Sequence, residues 1–475
     1  MLLALHILLV FSTVLRVLCR QNLTPITRLA WFVVLVLLPV AGVVIYFLFG
    51  EANLDKTTTQ KHKQIFNHLR LKFPAFFNQS NHLDGVIEAQ YQTAFQYAMS
   101  INGFKLTTGN SAKLMLDATQ ARASLIADID AATEQVHVLY YIWLNDHTGL
   151  NVAQALIRAA QRGVACKAMA DGLGSRAFIK SATWTQMKDA GVNVCVALPF
   201  HHIFKTIIKS RLDLRNHRKI TVIDGRITYC GSQNCADPEF KVKPKYAPWV
   251  DILLRFEGPV VAQNQLLFVS DWLVNHQSES LEDFDITPGL PKQGFPALVW
   301  GDGPTERSAA TPQMFACLFN QAKHSITIST PYFVPNEPVI KALTAAAYRG
   351  VETKIIFPAR NDSWVVGAAS RSYYSELLSA GVGIYEFEGG LLHAKTLTID
   401  CVITLIGSSN MDLRSFDLNY ENNILLHDKD ITSQVQARQQ QYIDSAYEVS
   451  LSQVESWPLK TRMWHNVIAT IGPVL

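Results

Sequence analysis

Charge is what this sequence has least of. Asp, Glu, Lys and Arg together make up 17% of its 475 residues, against about 25% in an average soluble chain. That deficit, beside a hydrophobic fraction of 49%, points toward a membrane. No excess of one sign accompanies it. The net charge of +3 excludes the basic flood of a nucleic-acid-binding protein and is compatible with anionic lipid head groups. Cysteine is sparse as well. The seven (Cys19, Cys166, Cys195, Cys230, Cys235, Cys317, Cys401) are scattered and no Cys-x-x-Cys pair occurs, so neither a zinc cluster nor a disulfide framework follows. They read as small buried hydrophobes.

The longest run without charge is Leu29 to Phe49. At about 1.5 Å per residue it covers roughly 31 Å, the thickness of a bilayer's hydrocarbon core. It predicts a transmembrane helix with Trp31 and Tyr46 as aromatic anchors near its ends. Leu2 to Leu18 is shorter and holds His6 and Arg16; Arg16 can snorkel to the interface. No basic residue precedes this first apolar run, which disfavours a cleaved signal peptide. Together the two segments predict a two-helix anchor over residues 1–50. Basic residues on its two sides nearly balance (Arg16, Arg20 and Arg28 against Lys56, Lys61 and Lys63), so orientation stays open.

After a connecting segment, 51–107, strand-like runs alternate with helical patterns, which predicts an α/β fold. Val136–Trp143 reads as a buried strand, Leu150–Gln161 as a helix and Ala165–Ala170 as a strand. The order recurs as strand Ser325–Ser329, helix Pro338–Tyr348 and strand Thr353–Phe357. Each half then reaches Ala-Gly-Val, at Ala190–Val192 and Ala380–Val382. Glu279 to Pro296, acidic and rich in Pro and Gly, reads as the linker. The repeat therefore predicts two domains, 108–285 and 286–475.

The sharpest repeat lies late in each half. His217 to Asn234 reads HRKITVIDGRITYCGSQN and His393 to Asn410 reads HAKTLTIDCVITLIGSSN, with nine of eighteen positions identical. An isolated His-x-Lys is as readily explained by a satisfied core histidine; two in matching contexts need a use. Side chains at i and i+2 of a strand share a face, so His217 with Lys219, and His393 with Lys395, present an imidazole beside an ammonium. Asp224 and Asp400 fall on the opposite parity at the strand ends, which points to a turn or packing role; Asp224-Gly225 makes a good hairpin turn and Asp400-Cys401 a poorer one. The residue set suits an anionic phosphodiester. Lysines offset its charge, and Ser232, Asn234, Ser408 and Asn410 can donate to its oxygens. A neutral imidazole can attack phosphorus while a protonated one donates to the leaving oxygen.

These residues resemble the phospholipase D superfamily, defined by the His-x-Lys-x4-Asp motif, and within it the bacterial cardiolipin synthases. The likeness extends to the apolar N-terminus, to TPYFVPNE (Thr330–Glu337), SFDLNYENN (Ser415–Asn423) and the apolar-basic tail Trp457–Leu475. It implies two pseudo-symmetric α/β domains pooling His217, Lys219, Asp224, His393, Lys395 and Asp400 in one active site, with no metal or organic cofactor. It implies a phosphatidyl-histidine intermediate and phosphatidylglycerol as both donor and acceptor, giving cardiolipin and glycerol at a bacterial inner membrane. It also implies a carboxylate downstream of each motif that orients a histidine, here Glu421 and Asp251. The same analogy makes His217 the nucleophile and His393 the acid and base, although the matched motifs leave that order open. A hydrolase of the same superfamily, or a phosphatidyl transferase using another donor or acceptor alcohol, fits the motif equally, because only the attacking hydroxyl differs.

One stretch has no counterpart in the second half. Gly191 precedes His217 by 26 residues, whereas Gly381 precedes His393 by 12. Phe200, Ile203, Phe204, Ile207 and Ile208 follow an amphipathic helical pattern there, with Lys205, Lys209 and Arg211 opposite. This predicts a helix lying on the membrane or packed on the core. His201-His202 do not face the same way on a helix and lack carboxylate or Cys company, so no metal site follows.

Overall fold

The computed structural model describes residues 2–20, 23, 25–50, 56–77, 83–199, 213–276, 279–287, 289 and 293–471. The insert at 200–211 lies outside the described residues.

The first half contributes strands β1 (Thr107–Leu114), β2 (Gln135–Tyr140), β3 (Ala165–Asp171), β4 (Asn193–Ala197), β5 (Ile220–Ile223), β6 (Ile227–Gly231) and β7 (Leu253–Glu257). The second contributes β8 (Phe295–Asp302), β9 (Ser325–Ser329), β10 (Glu352–Pro358), β11 (Gly383–Phe387), β12 (Thr396–Ile399), β13 (Ile403–Gly407), β14 (Asn419–His427) and β15 (Ala446–Val449). They form one mixed sheet in the order β15-β11-β10-β9-β12-β13-β14-β8-β1-β7-β6-β5-β2-β3-β4. Outward from the central β1–β8 pair the two halves run in the same order to three parallel strands joined by helices, and the second half adds β15, antiparallel to β11, at its edge. The antiparallel seam pairs Thr107 with Ala297 and Asn110 with Phe295. The Asn110 amide donates to the Thr107 and Phe295 carbonyls and its oxygen accepts from Val260 N–H. A buried polar residue thus fixes the register where the repeats meet.

The motif strands are buried along their whole length, as Ile220–Ile223 and Ile403–Gly407 show, because helices cover both faces of the sheet. Helix α5 (Val260–Asn275) is buried from Val260 to Leu273. It is sealed by α4 (Lys56–Lys72), whose Lys61 ammonium donates to the Val274 carbonyl at 2.8 Å. The segment expected as a connector is therefore structural, and Phe66, Leu69, Tyr91 and Phe95 join the main core. In the second half α7 (Lys429–Asp444) packs on the sheet, while α6 (Trp364–Ser372) and α8 (Leu459–Ile471) pack on each other.

The two hairpins are built alike. Arg226 N–H closes on the Ile223 carbonyl and Val402 N–H on that of Ile399, with Asp224, Gly225, Asp400 and Cys401 all at φ between 50° and 60°, as in a type I′ turn. Asp400-Cys401, poorer by composition, makes the same turn because its carboxylate is held from outside. It accepts from Lys323, His324 and Ser325 N–H and from the Tyr91 hydroxyl. Asp224 does the same for Thr133, Glu134 and Gln135. Burial opposes both charges, yet these donors hold both carboxyls below their ordinary pKa.

At the N-terminus the structure departs from expectation. Helix α1 (Leu2–Cys19) packs against α2 (Pro25–Leu37) and α3 (Pro39–Ile45). The continuous helix expected over Leu29–Phe49 is interrupted at Leu38, whose φ of −126° and ψ of 66° are not helical. A residue before proline is disfavoured in the helical region, and proline has no N–H to continue the ladder. Among the described residues no helix is long and apolar enough to cross a membrane. The kink also brings Tyr46 onto Trp31, with ring centroids 5.1 Å apart and both rings buried, so neither acts as the outward anchor expected. Arg16 lies over the Phe47 ring.

Asp400→Ala should lower stability by about 1.5–3 kcal/mol, the worth of hydrogen bonds to a charged acceptor, seen as an earlier midpoint in denaturant unfolding.

Candidate active site

Each motif histidine sits just beyond a two-residue strand that pairs with the opposite half. Arg215–Asn216 runs parallel to Asn419–Tyr420, and His217 N–H donates to the Tyr420 carbonyl. Leu391–Leu392 runs parallel to Trp249–Val250, and His393 N–H donates to the Val250 carbonyl. The residue after each of those carbonyls is a carboxylate, Glu421 or Asp251. The orienting pairs are therefore crossed. His217 Nδ1 lies 2.9 and 3.0 Å from the two oxygens of Glu421, and His393 Nδ1 lies 2.6 Å from Asp251 Oδ1. Glu421 follows His393 by 28 residues and Asp251 follows His217 by 34. That unequal spacing is no obstacle, since each carboxylate serves the other motif.

The serines prove to belong to these carboxylates. Ser408 Oγ donates to Glu421, as do Ser415 Oγ at 2.9 Å and Asn419 Nδ2 at 3.2 Å. Ser232 Oγ donates to Asp251 at 2.6 Å. The expectation that Ser232 and Ser408 donate to phosphate is corrected: their hydroxyl protons are committed to fixing carboxylates. The asparagines differ from each other. Asn234 Oδ1 accepts from Ile142 N–H, leaving its buried Nδ2 without a partner, and Asn410 Oδ1 is likewise unpartnered. An unsatisfied buried polar atom costs about 1–3 kcal/mol; here one amide donor and one amide acceptor carry that cost.

His217, His393, Asn234 and Asn410 line one cavity of about 590 Å³. Tyr141 meets His217 edge-on and Trp249 packs against His393. The remaining wall is mostly apolar, with Phe240, Val334, Val365 and Val366, and the Lys243–Asp362 ion pair joins the two halves across it. Tyr332 donates to Asp362. Tyr141, Trp249, Tyr332 and Asp362 escaped sequence reasoning because only the fold brings them to the motifs. Asp224 and Asp400, counted with the motifs, stand at the far ends of their strands and do not line the cavity.

Lys219 and Lys395 are buried, and each ammonium donates to the carbonyl of its own motif histidine at 2.7 Å. Burial pushes Lys219 down to about 8 and Lys395 to about 7, against the pull of the site carboxylates. It also pushes His217 down to about 4, with Glu421 opposing, and lowers His393. Burial opposes ionisation of Asp251 too, but His393, Lys395 and Ser232 carry it down to about 2. The site thus holds ionised carboxylates beneath neutral imidazoles. Each Nδ1 carries the shared proton, leaving Nε2 as the other, free ring nitrogen. A bound phosphodiester anion would favour the protonated forms of both lysines and of one imidazole.

Two repeated α/β halves sharing one sheet and one cavity, with paired His and Lys, define a phospholipase D-like protein. Sequence comparison agrees. A family model described as "Cardiolipin synthase, PLD-like domain" matches residues 125–244 and 315–443, and one described as "Phospholipase_D-nuclease N-terminal" matches 4–51. Cardiolipin synthase A of Klebsiella pneumoniae (strain 342) is 33% identical over 97% of this chain and 94% of its own. Cardiolipin synthase A of Proteus mirabilis is 32% identical over 98% and 96%. Among solved structures, a phosphatidylserine synthase of Haemophilus influenzae superposes with a TM-score of 0.61 at 14% identity, covering 81% of this chain and all of that one; it shares the fold. The chain belongs to the cardiolipin synthase family of phospholipase D-like proteins.

Glu421→Gln and Asp251→Asn should each lower turnover by about 10²–10⁴, as loss of a histidine-orienting carboxylate does, with the fold retained by circular dichroism. The depressed lysines supply a second expectation. Between about pH 7 and the ordinary 10.5 they bind fewer protons in the fold than unfolded, so their contribution to stability rises with pH through that window. Anion binding reverses this by restoring protons. Affinity for sulfate should therefore fall above pH 8, by about tenfold per pH unit for each lysine reprotonated and so by up to about a hundredfold for both, with proton uptake measurable by calorimetry in buffers of different ionisation enthalpy.

Proposed function

We propose that this chain is a cardiolipin synthase, transferring a phosphatidyl group from one phosphatidylglycerol to a second and releasing glycerol. The observation that carries this reading is the crossed pair of imidazole–carboxylate contacts opening on one largely apolar cavity. Full-length likeness to curated cardiolipin synthases supports the lipid substrate.

Lys219, Lys395 and the Asn234 amide offset and hold the donor's phosphate. His217 Nε2 attacks phosphorus, and His393 gives a proton to the departing glycerol oxygen, leaving phosphatidyl-histidine. His393 then takes the proton from a hydroxyl of the second phosphatidylglycerol, which attacks phosphorus and frees His217. Two phosphatidylglycerols give one cardiolipin and one glycerol, and the proton taken equals the proton given. Glu421 and Asp251 hold the imidazoles in the tautomer both steps need. The apolar wall favours a lipid alcohol over water, which separates transfer from hydrolysis.

The N-terminal segment is read as the anchor in a bacterial inner membrane. Ile7, Leu8, Phe11, Leu29, Val36 and Val44 are exposed over its two arms, a surface suited to lipid. The run from Pro25 to Gly50 folds back at Leu38, bringing Tyr46 onto Trp31, so its apolar arms are read as entering the bilayer together.

Purified full-length protein in phosphatidylglycerol vesicles should yield cardiolipin and glycerol in equal amounts by mass spectrometry, and His217→Ala or His393→Ala should abolish both. Phosphatidic acid without cardiolipin would instead identify a hydrolase.

A further inference from the structure

The cavity's apolar wall continues to the protein surface. Val365, Val366 and Ala369, on one side of α6, line the cavity, as does Val334. The inner face of α8 packs on that helix through Ile468, which clusters with Val334, Ala368 and Ala369. The outer face of α8 is left uncovered. Leu459, Met463 and Val467 fall at i, i+4 and i+8, and are 66%, 57% and 51% exposed. Trp464 stacks on Trp364 of α6 at a centroid distance of 5.8 Å and an interplanar angle of 12°, yet Trp364 is 65% exposed. Lys460 and Arg462 are exposed beside this stripe. Large exposed aromatics stacked on one another, an apolar helical stripe and flanking cations are the composition of a surface that enters a lipid interface.

We propose that α6 and α8 form a rim seated in an anionic bilayer, through which a lipid's acyl chains reach the cavity without leaving the apolar phase. The occupant is a lipid surface for two reasons. The flanking charges complement anionic head groups, and the patch is continuous with the wall of a cavity that, on the phosphatidyl-transfer reading above, must admit a two-chain lipid. The rim acts on delivery. It touches neither the phosphate nor the imidazoles.

The test compares full-length wild type with Met463→Asp/Val467→Asp on two substrates: long-chain phosphatidylglycerol in vesicles and a short-chain phosphatidylglycerol dissolved below its micellar limit. The rim predicts at least a tenfold loss on vesicles and less than a twofold change on the dissolved substrate. Equal turnover on vesicles overturns the rim while leaving the function intact; a wild type that makes no cardiolipin from either substrate overturns the function instead. A nitroxide placed by Val467→Cys, with Cys19 and Cys401 replaced by Ser, gives a reading that does not depend on the double variant folding. In phosphatidylglycerol nanodiscs it should be relaxed by oxygen in the lipid phase. Relaxation by an aqueous nickel chelate, or shielding from both as a contact between two copies would produce, rejects the proposal.

Discussion

Each motif histidine is held by a carboxylate from the other half, and the rest of the structure depends on that exchange. A contact of 2.6–3.0 Å tolerates little movement between the elements that supply its ends. Those elements are short strands whose partners lie across the pseudo-symmetry axis. The continuous sheet is what makes the exchange rigid: with β1 and β8 hydrogen-bonded at the centre, the two halves cannot rotate apart without breaking the ladder. Neither half alone contains an oriented histidine, so the duplication is a functional unit only when joined.

The same exchange lets a buried site carry so many ionisable groups. Two imidazoles, two ammonium groups and two carboxylates lie in a region from which water is largely removed, where an unpaired charge is costly. The costs are limited in two ways. The carboxylates are surrounded by hydroxyl and amide donors, which stabilises their charge without adding another. The lysines and histidines shift toward their neutral forms. What remains unsatisfied is the amide of Asn234, buried without a partner. On the phosphatidyl-transfer reading, a bound phosphate would draw protons back onto these groups, which couples binding to protonation.

Much of this was legible in the sequence, for identifiable reasons. The repeat of strand, helix and strand was read to within a few residues because buried parallel strands are short apolar runs and their helices carry a strong 3.6-residue period. His217, Lys219, His393 and Lys395 stood out because two copies at one spacing defeat chance. The aspartates' turn role followed from strand parity. The crossing of the carboxylates was not legible, since spacing along the chain says nothing about which half a residue faces. The serines misled for a related reason: a hydroxyl beside a phosphate site and a hydroxyl beside a carboxylate look alike in sequence. The N-terminal helix failed at Leu38, where hydropathy counts Pro39 as neutral while the backbone treats it as a break. Residues 51–107 read as a connector because the apolar side chains described there are spent on α5, on β8 and on the main core, contacts that only the fold makes.

The halves match in backbone but not in what surrounds the two imidazoles, and this difference bears on their division of labour. Glu421 is fully buried and accepts from three side chains besides His217. Arg218, itself bonded to Asp271, also grips the Glu421 carbonyl, whereas the second motif has Ala394 in that place. Asp251 accepts from Ser232 and His393. A carboxylate whose charge is spread over several donors draws less on any one of them, so Glu421 orients His217 while pulling weakly on its proton. Asp251 leans more heavily on His393, which favours the protonated ring. A nucleophile must be neutral and an acid must be charged. In the reaction proposed above, these surroundings suit His217 to attack and His393 to proton transfer.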